Sequence, residues 1–215
     1  MAERTALIDY GAGNLQSVAN ALRAAGGTGV VVTADPDVVH RADRIVLPGV
    51  GAFRACIEAL RAVPGLIEAM TGRVQQGGVP FLGICVGMQL LATRGIEFGV
   101  TPGLDWIGGE VRRIEPADPA IKVPHMGWND VAPNGDGPFD DRTGPGAIVV
   151  PGEAYFLHSY HFATDHAADI AAMTGHGGAL VAAVARDTVL GVQFHPEKSQ
   201  RYGLDLLARF LAWKP

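Results

Sequence analysis

Three observations predict an α/β domain built on a central, mostly parallel but mixed sheet with helices on both faces. Strand-like apolar runs alternate with segments of helical period through the first ninety or so residues, the pattern of βαβ units. Residues 79–84, Val-Pro-Phe-Leu-Gly-Ile, are apolar apart from one glycine and one early proline, as a strand covered on both faces requires. The 215 residues, 48% hydrophobic and 18% charged, suit one domain spanning 1–215 with a sizeable core.

Each element follows in order. Residues 5–10 read as the first strand. Gly11-Ala12-Gly13-Asn14 comes next, with Asn14 as N-cap of a helix through Leu15, Val18, Ala19 and Leu22 that ends near Gly26-Gly27. Glycines after a strand suggest a dinucleotide loop, but Ser17 and Val18 stand where the third glycine belongs. Residues 30–32 and 44–47 are the next strands, the latter ending in Pro48-Gly49-Val50-Gly51. Phe53, Cys56, Ile57 and Leu60 recur at helical spacing, making Cys56 a core residue, and Leu66, Ile67 and Met70 begin another helix. Beyond it, residues 106–114, 122–131, 155–164, 170–173, 179–185 and 190–194 read as shorter strands in a more antiparallel region. The stretch from Asn134 to Gly152 is rich in Gly, Pro and Asp and reads as an exposed loop. Its Asp136, Asp140 and Asp141 are more simply solvated than metal-bound. Ser199 is placed to cap a final helix whose inward face is Leu206, Leu207, Phe210 and Leu211.

Composition narrows the function. A formal net charge of −5 with no Lys/Arg-rich run argues against a nucleic-acid surface. Two cysteines, Cys56 and Cys85, fit a reducing cytoplasm, and the N-terminal residues lack a signal-peptide h-region. The longest uncharged interval, residues 74–93, is broken by Gln75, Gln76, Gly77, Gly78 and Pro80, so no membrane span is expected.

The chemistry gathers at two places. Gly83-Ile84-Cys85-Val86-Gly87 stands between a strand and a helix-like run, the arrangement of a nucleophile elbow with Cys as nucleophile. The glycines permit the sharp turn, and a helix N-terminus favours the thiolate. A buried core cysteine is the plain alternative. His195-Pro196-Glu197 supplies what a thiol nucleophile needs. Proline keeps His195 extended, and in an extended chain residues i and i+2 point the same way, so Glu197 can orient the imidazole. Alone this is a turn; with the elbow it completes a Cys-His-Glu triad. The N–H of Val86 is one oxyanion donor, and the Val50–Gly51 peptide is the candidate for the second, with a structural turn as its alternative.

Gly-Ile-Cys-Val-Gly-Met-Gln-Leu-Leu with His-Pro-Glu resembles the class I (triad-type, flavodoxin-like) glutamine amidotransferases. Residues 9–14 (Asp-Tyr-Gly-Ala-Gly-Asn), 122–129 (Lys-Val-Pro-His-Met-Gly-Trp-Asn) and 155–160 (Tyr-Phe-Leu-His-Ser-Tyr) are similar to the glutaminase subunits of imidazole glycerol phosphate synthases, of histidine biosynthesis. The likeness runs from about Leu7 to the C-terminal helix. It implies that Cys85 attacks glutamine, that His195 protonates the departing ammonia, and that water hydrolyses the thioester. It further implies glutamine contacts from Gln89 and from backbone groups of Gly51, Ser159 and Tyr160, with no cofactor and no metal. The partner implied is a (β/α)₈-barrel cyclase that binds the phosphorylated ribonucleotide, in a heterodimer. Trp128 and Lys198 are candidates for docking it, a core Trp and a solvated Lys being the plainer readings.

Three rivals remain at this stage. The glutaminase of pyridoxal phosphate synthase shares the class, but residues 122–129 speak against it. A partner-independent cysteine hydrolase of the same fold differs in chemistry. A non-catalytic interaction module is disfavoured by the intact Cys85, His195 and Glu197.

Overall fold

In the computed structural model, which describes residues 3–133 and 144–215, the first half alternates strand and helix as its sequence pattern requires. Strand β1 (Arg4–Ile8) is followed by α1 (Leu15–Ala24), β2 (Gly29–Thr33), α2 (Pro36–His40) and β3 (Arg44–Gly49). Next come α3 (Phe53–Arg61), α4 (Leu66–Thr71), β4 (Phe81–Cys85) and α5 (Val86–Gln89). Asn14 caps α1 as expected, its side chain accepting from the Ser17 N–H at 3.4 Å. Helix α2 escaped the sequence reading, although Asp35 and Pro36 are a cap and a first-turn proline; Asp35 accepts from the Asp37 N–H at 2.8 Å. The helix after the elbow is one turn long, so little dipole reaches Cys85.

The second half is strand-rich: β5 (Arg94–Gly95), β6 (Thr101–Pro102), β7 (Gly109–Arg113), β8 (His125–Pro133), β9 (Gly152–His158), β10 (Tyr160–Thr164), β11 (Ile170–Gly175), β12 (Ala179–Arg186) and β13 (Val189–Val192), before α6 (Gln200–Ala212). Among the described residues the strands form one nine-stranded sheet, ordered β2-β1-β3-β4-β13-β12-β11-β8-β9, and a four-stranded sheet, β10-β7-β5-β6. The large sheet is parallel from β2 to β13 and antiparallel beyond. From β1 the chain steps outward to β2, then returns past β1 to β3 and on to β4. Right-handed crossovers taken in opposite directions put α1 and the α2–α4 group on opposite faces. Strand β4, all five residues buried, lies in the interior of the sheet between β3 and β13. Among the described residues no helix is long and apolar enough to cross a membrane.

Two expectations are corrected. Residues 155–164 are not one strand: β9 belongs to the large sheet, β10 to the small one, and Ser159 is the break between them. The alternation of side chains is the same on both sides of the break, so the pattern could not reveal it. The interval from Asn134 to Gly152 is not simply an exposed loop. Residues 134–143, with Asp136, Asp140 and Asp141, lie outside the described residues. Residues 145–148 form a 3-10 turn in which Pro145, Gly146 and Ile148 are buried. Helix α6 covers it, Arg209 Nε donating to the Ile148 carbonyl and the Tyr202 hydroxyl to that of Val150, both at 2.8 Å.

Ser199 precedes α6 but does not cap it with its side chain. Its Oγ instead donates to the His195 carbonyl at 2.6 Å and accepts from the Tyr155 N–H at 2.9 Å, while the His195 N–H donates to the Tyr155 carbonyl at 2.9 Å. These bonds clip residues 195–199 onto the open edge of β9. Ser199→Ala leaves the Tyr155 N–H without its partner, while the His195 carbonyl keeps the Lys198 N–H, and should lower stability by about 1–3 kcal/mol, read as a drop in the urea midpoint. An unchanged midpoint would show that the clip contributes nothing.

Candidate active site

Register brings the candidate residues together. Gly49 of β3 lies opposite Cys85 of β4, and Val192 of β13 opposite Ile84, so the C-terminal ends of three adjacent parallel strands open on one edge. That edge is where open α/β sheets hold their sites. Cys85 stands there with φ 54° and ψ −111°, a conformation a side chain adopts only under constraint. A Cβ on Gly87 would lie 1.9 Å from the Leu47 carbonyl oxygen, so only glycine allows the turn to close against β3.

His195 has the extended backbone its proline neighbour demands, φ −103° and ψ 97°. Its Nδ1 lies 2.8 Å from Glu197 Oε1, and both side chains are nearly inaccessible, at 4% and 2%. The carboxylate accepts, so Nδ1 carries a proton and Nε2 is left for the thiol side. Burial pushes this imidazole toward the neutral form, but the Cys85 sulfur and the Glu197 carboxylate outweigh it and raise its pKa to about 9. His195 is therefore held protonated at neutral pH.

A cavity of about 170 Å³ opens over Cys85 and is also lined by His195, Val86, Val50, Gly51 and Gln89. Ser159, Tyr160 and Lys198 complete the set of expected residues found there. Glu197 stands behind His195. Gln89 Nε2 donates to the Tyr160 carbonyl and to Gln193 Oε1, both at 3.0 Å. The Val50 carbonyl accepts from the Cys56 thiol at 3.3 Å, and Gly51 has φ +97°.

Two residues of the site escaped the sequence reading. Gln193 is fully buried and its Nε2 donates to Cys85 Sγ at 3.7 Å. Its signal was a polar residue inside the apolar run Val-Gln-Phe. Glu97 also lines the cavity, with Oε2 accepting from the Phe53 N–H at 2.9 Å. It sits in an irregular stretch without periodic pattern, and nothing marked it. Trp128 is 47% exposed, not a core residue, and lies outside the cavity. It meets Tyr155 edge-on with ring centroids 6.2 Å apart, while Lys198 Nζ lies 5.9 Å from the centroid of the same ring. Among the described residues no group of three or more His, Cys, Asp or Glu is arranged to hold a metal.

The model of the glutamine amidotransferase class-I family matches residues 6–212. The chain belongs to this family. Its relatives include the imidazole glycerol phosphate synthase subunit HisH of Zymomonas mobilis, 56% identical over 98% of this chain and 96% of the relative. Those of Caulobacter vibrioides (52%, covering 99% and 100%) and Ruegeria pomeroyi (51%, covering 98% and 99%) carry the same name. A crystal structure of a glutamine amidotransferase has a TM-score of 0.72 at 19% identity, covering 96% of this chain and 98% of the other. PurLQS from Thermotoga maritima reaches 0.68 at 18%, covering 99% and 98%. These two show the shared fold alone.

The raised pKa of His195 gives the pH prediction its sign. Glutaminase kcat/KM of this amidotransferase should fall as pH rises through about 9, where the imidazolium is lost. Glu197 favours the imidazolium, so Glu197→Gln should move that alkaline limb to lower pH. A limb that stays in place would detach Glu197 from His195.

Proposed function

We propose that this glutamine amidotransferase is the glutaminase of an imidazole glycerol phosphate synthase, acting in histidine biosynthesis as a single domain over residues 1–215. The observation that carries the reading is His195, oriented by Glu197, beside Cys85 in one cavity with Gln89. The Cys85 sulfur attacks the side-chain amide carbon of L-glutamine, and the carbonyl electron pair moves to oxygen. The N–H groups of Val86 and Gly51 receive that oxyanion. His195 gives its Nε2 proton to the departing nitrogen as the C–N bond breaks, releasing ammonia and leaving a glutamyl thioester. A water deprotonated by His195 then cleaves the C–S bond, and glutamate leaves.

Gln89 and the backbone of Gly51, Ser159 and Tyr160 hold the amino-acid end of glutamine. The Glu97 carboxylate is the counter-charge for its ammonium group. Ammonia passes to a (β/α)₈-barrel cyclase subunit, docked at Trp128 and Lys198 in a cytoplasmic heterodimer whose overall reaction is a lyase reaction. The names of the relatives support this reading over a pyridoxal phosphate synthase glutaminase, a partner-free hydrolase or a non-catalytic module.

Cys85→Ala should lose glutamine-dependent synthesis by at least about 10³-fold. The cyclase complex should still make product from ammonium salts and still co-purify. Glutamine turnover near the wild-type value would remove Cys85 from the nucleophile's role.

The Val50–Gly51 peptide is the gate of this mechanism, since Gly51 tolerates a peptide flip and loss of one oxyanion donor costs on the order of 10²–10³ in rate. The free chain should accordingly turn over glutamine more slowly than the cyclase complex with its ligand bound, by a factor of roughly that size. Equal turnover in the two states would refute the gate.

A further inference from the structure

Two histidines that the catalytic mechanism leaves unused, His125 and His158, pair across β8 and β9 with 3% and 6% of their surface exposed. His158 Nδ1 lies 2.8 Å from the Tyr160 carbonyl oxygen, which can only accept, so this nitrogen carries a proton. Burial pushes the pKa of His158 down to about 3 and that of His125 to about 4, and both rings are neutral at neutral pH. A neutral ring protonated on Nδ1 has a bare Nε2. His125 Nδ1, 3.0 Å from that atom, therefore donates to it. His125 Nε2 is then bare in turn and accepts from Asn129 Nδ2 at 2.9 Å.

The Asn129 amide can stand only one way. Its Nδ2 also donates to the Gly175 carbonyl at 2.7 Å, and its Oδ1 accepts from the Asp130 N–H at 2.8 Å. The His125 ring stacks on Phe156 at 4.6 Å and on His176 at 4.3 Å, which fixes its plane. Every hydrogen bond thus runs in one direction, from Asn129 through His125 and His158 to the Tyr160 oxygen. That oxygen also accepts from Gln89 Nε2 at 3.0 Å, where the chain passes from one sheet to the other.

We propose that Asn129, His125 and His158 form a one-way hydrogen-bonded chain that positions the glutamine-binding wall of the cavity, holding the Tyr160 carbonyl and through it the Gln89 amide. The chain touches no reacting atom, so it acts on substrate seating rather than on bond breaking. This inference rests on the reading that glutamine occupies the cavity over Cys85.

The test uses the cyclase complex, with His158→Phe, His158→Asn and His125→Phe. His158→Phe removes the donor to Tyr160 and should raise KM for glutamine roughly tenfold with kcat changed by less than about threefold. His125→Phe leaves His158 Nε2 buried and unpaired and should raise KM in the same direction. His158→Asn places an N–H where Nδ1 stood and should recover most of the loss. In the ¹⁵N spectrum of the histidine-labelled wild-type complex both rings should be protonated on Nδ1 and bare on Nε2. An unchanged KM in His158→Phe, a loss confined to kcat, no recovery in His158→Asn, or an Nε2-protonated ring would each overturn the proposal. Should a Phe variant fail to fold, recovery in His158→Asn and the ring spectrum still decide it. Wild-type turnover separates the two readings: with it present a flat KM sinks this inference alone, and without it the glutamine reading falls and takes the inference with it.

Discussion

The left-handed backbone of Cys85 persists because the turn around it is locked between two strands. A Cβ on Gly83 would lie 2.6 Å from the Gly87 carbonyl oxygen, and one on Gly49 would lie 2.7 Å from the Gly87 nitrogen. Three glycines thus let β3, β4 and the first turn of α5 approach more closely than any side chain permits. A strained conformation of this kind costs on the order of 1–3 kcal/mol and survives only where surrounding packing over-determines it. Here that packing is the fully buried β4, flanked in register by β3 and β13. The Gln193 amide donates to the Cys85 sulfur, and Val50 and Gly51 line the same cavity.

The second half of the site reaches Cys85 by a different route. His195 leaves the end of β13, two residues past the Gln193 N–H that still donates to the Ala182 carbonyl of β12. What fixes it is the edge of β9, through Tyr155 and the Ser199 hydroxyl, together with the Glu197 carboxylate. The antiparallel extension is therefore more than added core: its outermost strand holds the imidazole. The electrostatic outcome is decided by magnitudes of opposite sign. Burial alone would discharge the ring, yet a carboxylate at 2.8 Å and the neighbouring sulfur more than offset it. Among the described residues no carboxylate acts on the two buried histidines nearby, His125 and His158, and they go the other way. Similar burial thus gives one charged imidazole and two neutral ones, separated by the partner each ring meets.

The parallel half of the fold was legible because alternation of apolar strands with helical periods leaves few topologies. The triad was legible for local reasons: a strand–turn–helix around Cys85, and the i, i+2 relation that sets Glu197 beside His195. What stayed hidden depends on contacts distant in sequence. Gln193 is read as a strand residue until Cys85 and Gln89 are seen on either side of it. Glu97 joins the cavity only because the chain after α5 folds back over the start of α3. The break at Ser159 separates two strands of the same alternation, and the burial of Pro145, Gly146 and Ile148 comes from packing against α6 and strands β11–β13. Local pattern carries propensity and spacing; it does not carry which element will cover another.

Strands β8 and β9 also set a limit on how partner and substrate can communicate. Their inner faces carry His125, Phe156 and His158, all buried, while Met126 and Trp128 project from the outer face of β8. Trp128 stands opposite Tyr155 and His125 opposite His158, so the proposed docking residues and the positioning chain alternate along one pair of strands. A slip by one residue would exchange the two faces, burying Trp128 and exposing the neutral histidines, and is excluded by that cost. Only small tilts of β8 that keep its register remain for transmitting partner binding. A shift of a few tenths of an ångström suffices to weaken a directional hydrogen bond, whereas apolar packing tolerates it. Coupling through this strand pair would therefore act on the Tyr160 carbonyl and the Gln89 amide before it disturbed the core beneath them, and only to the extent that the partner binds the two arrangements with different free energy.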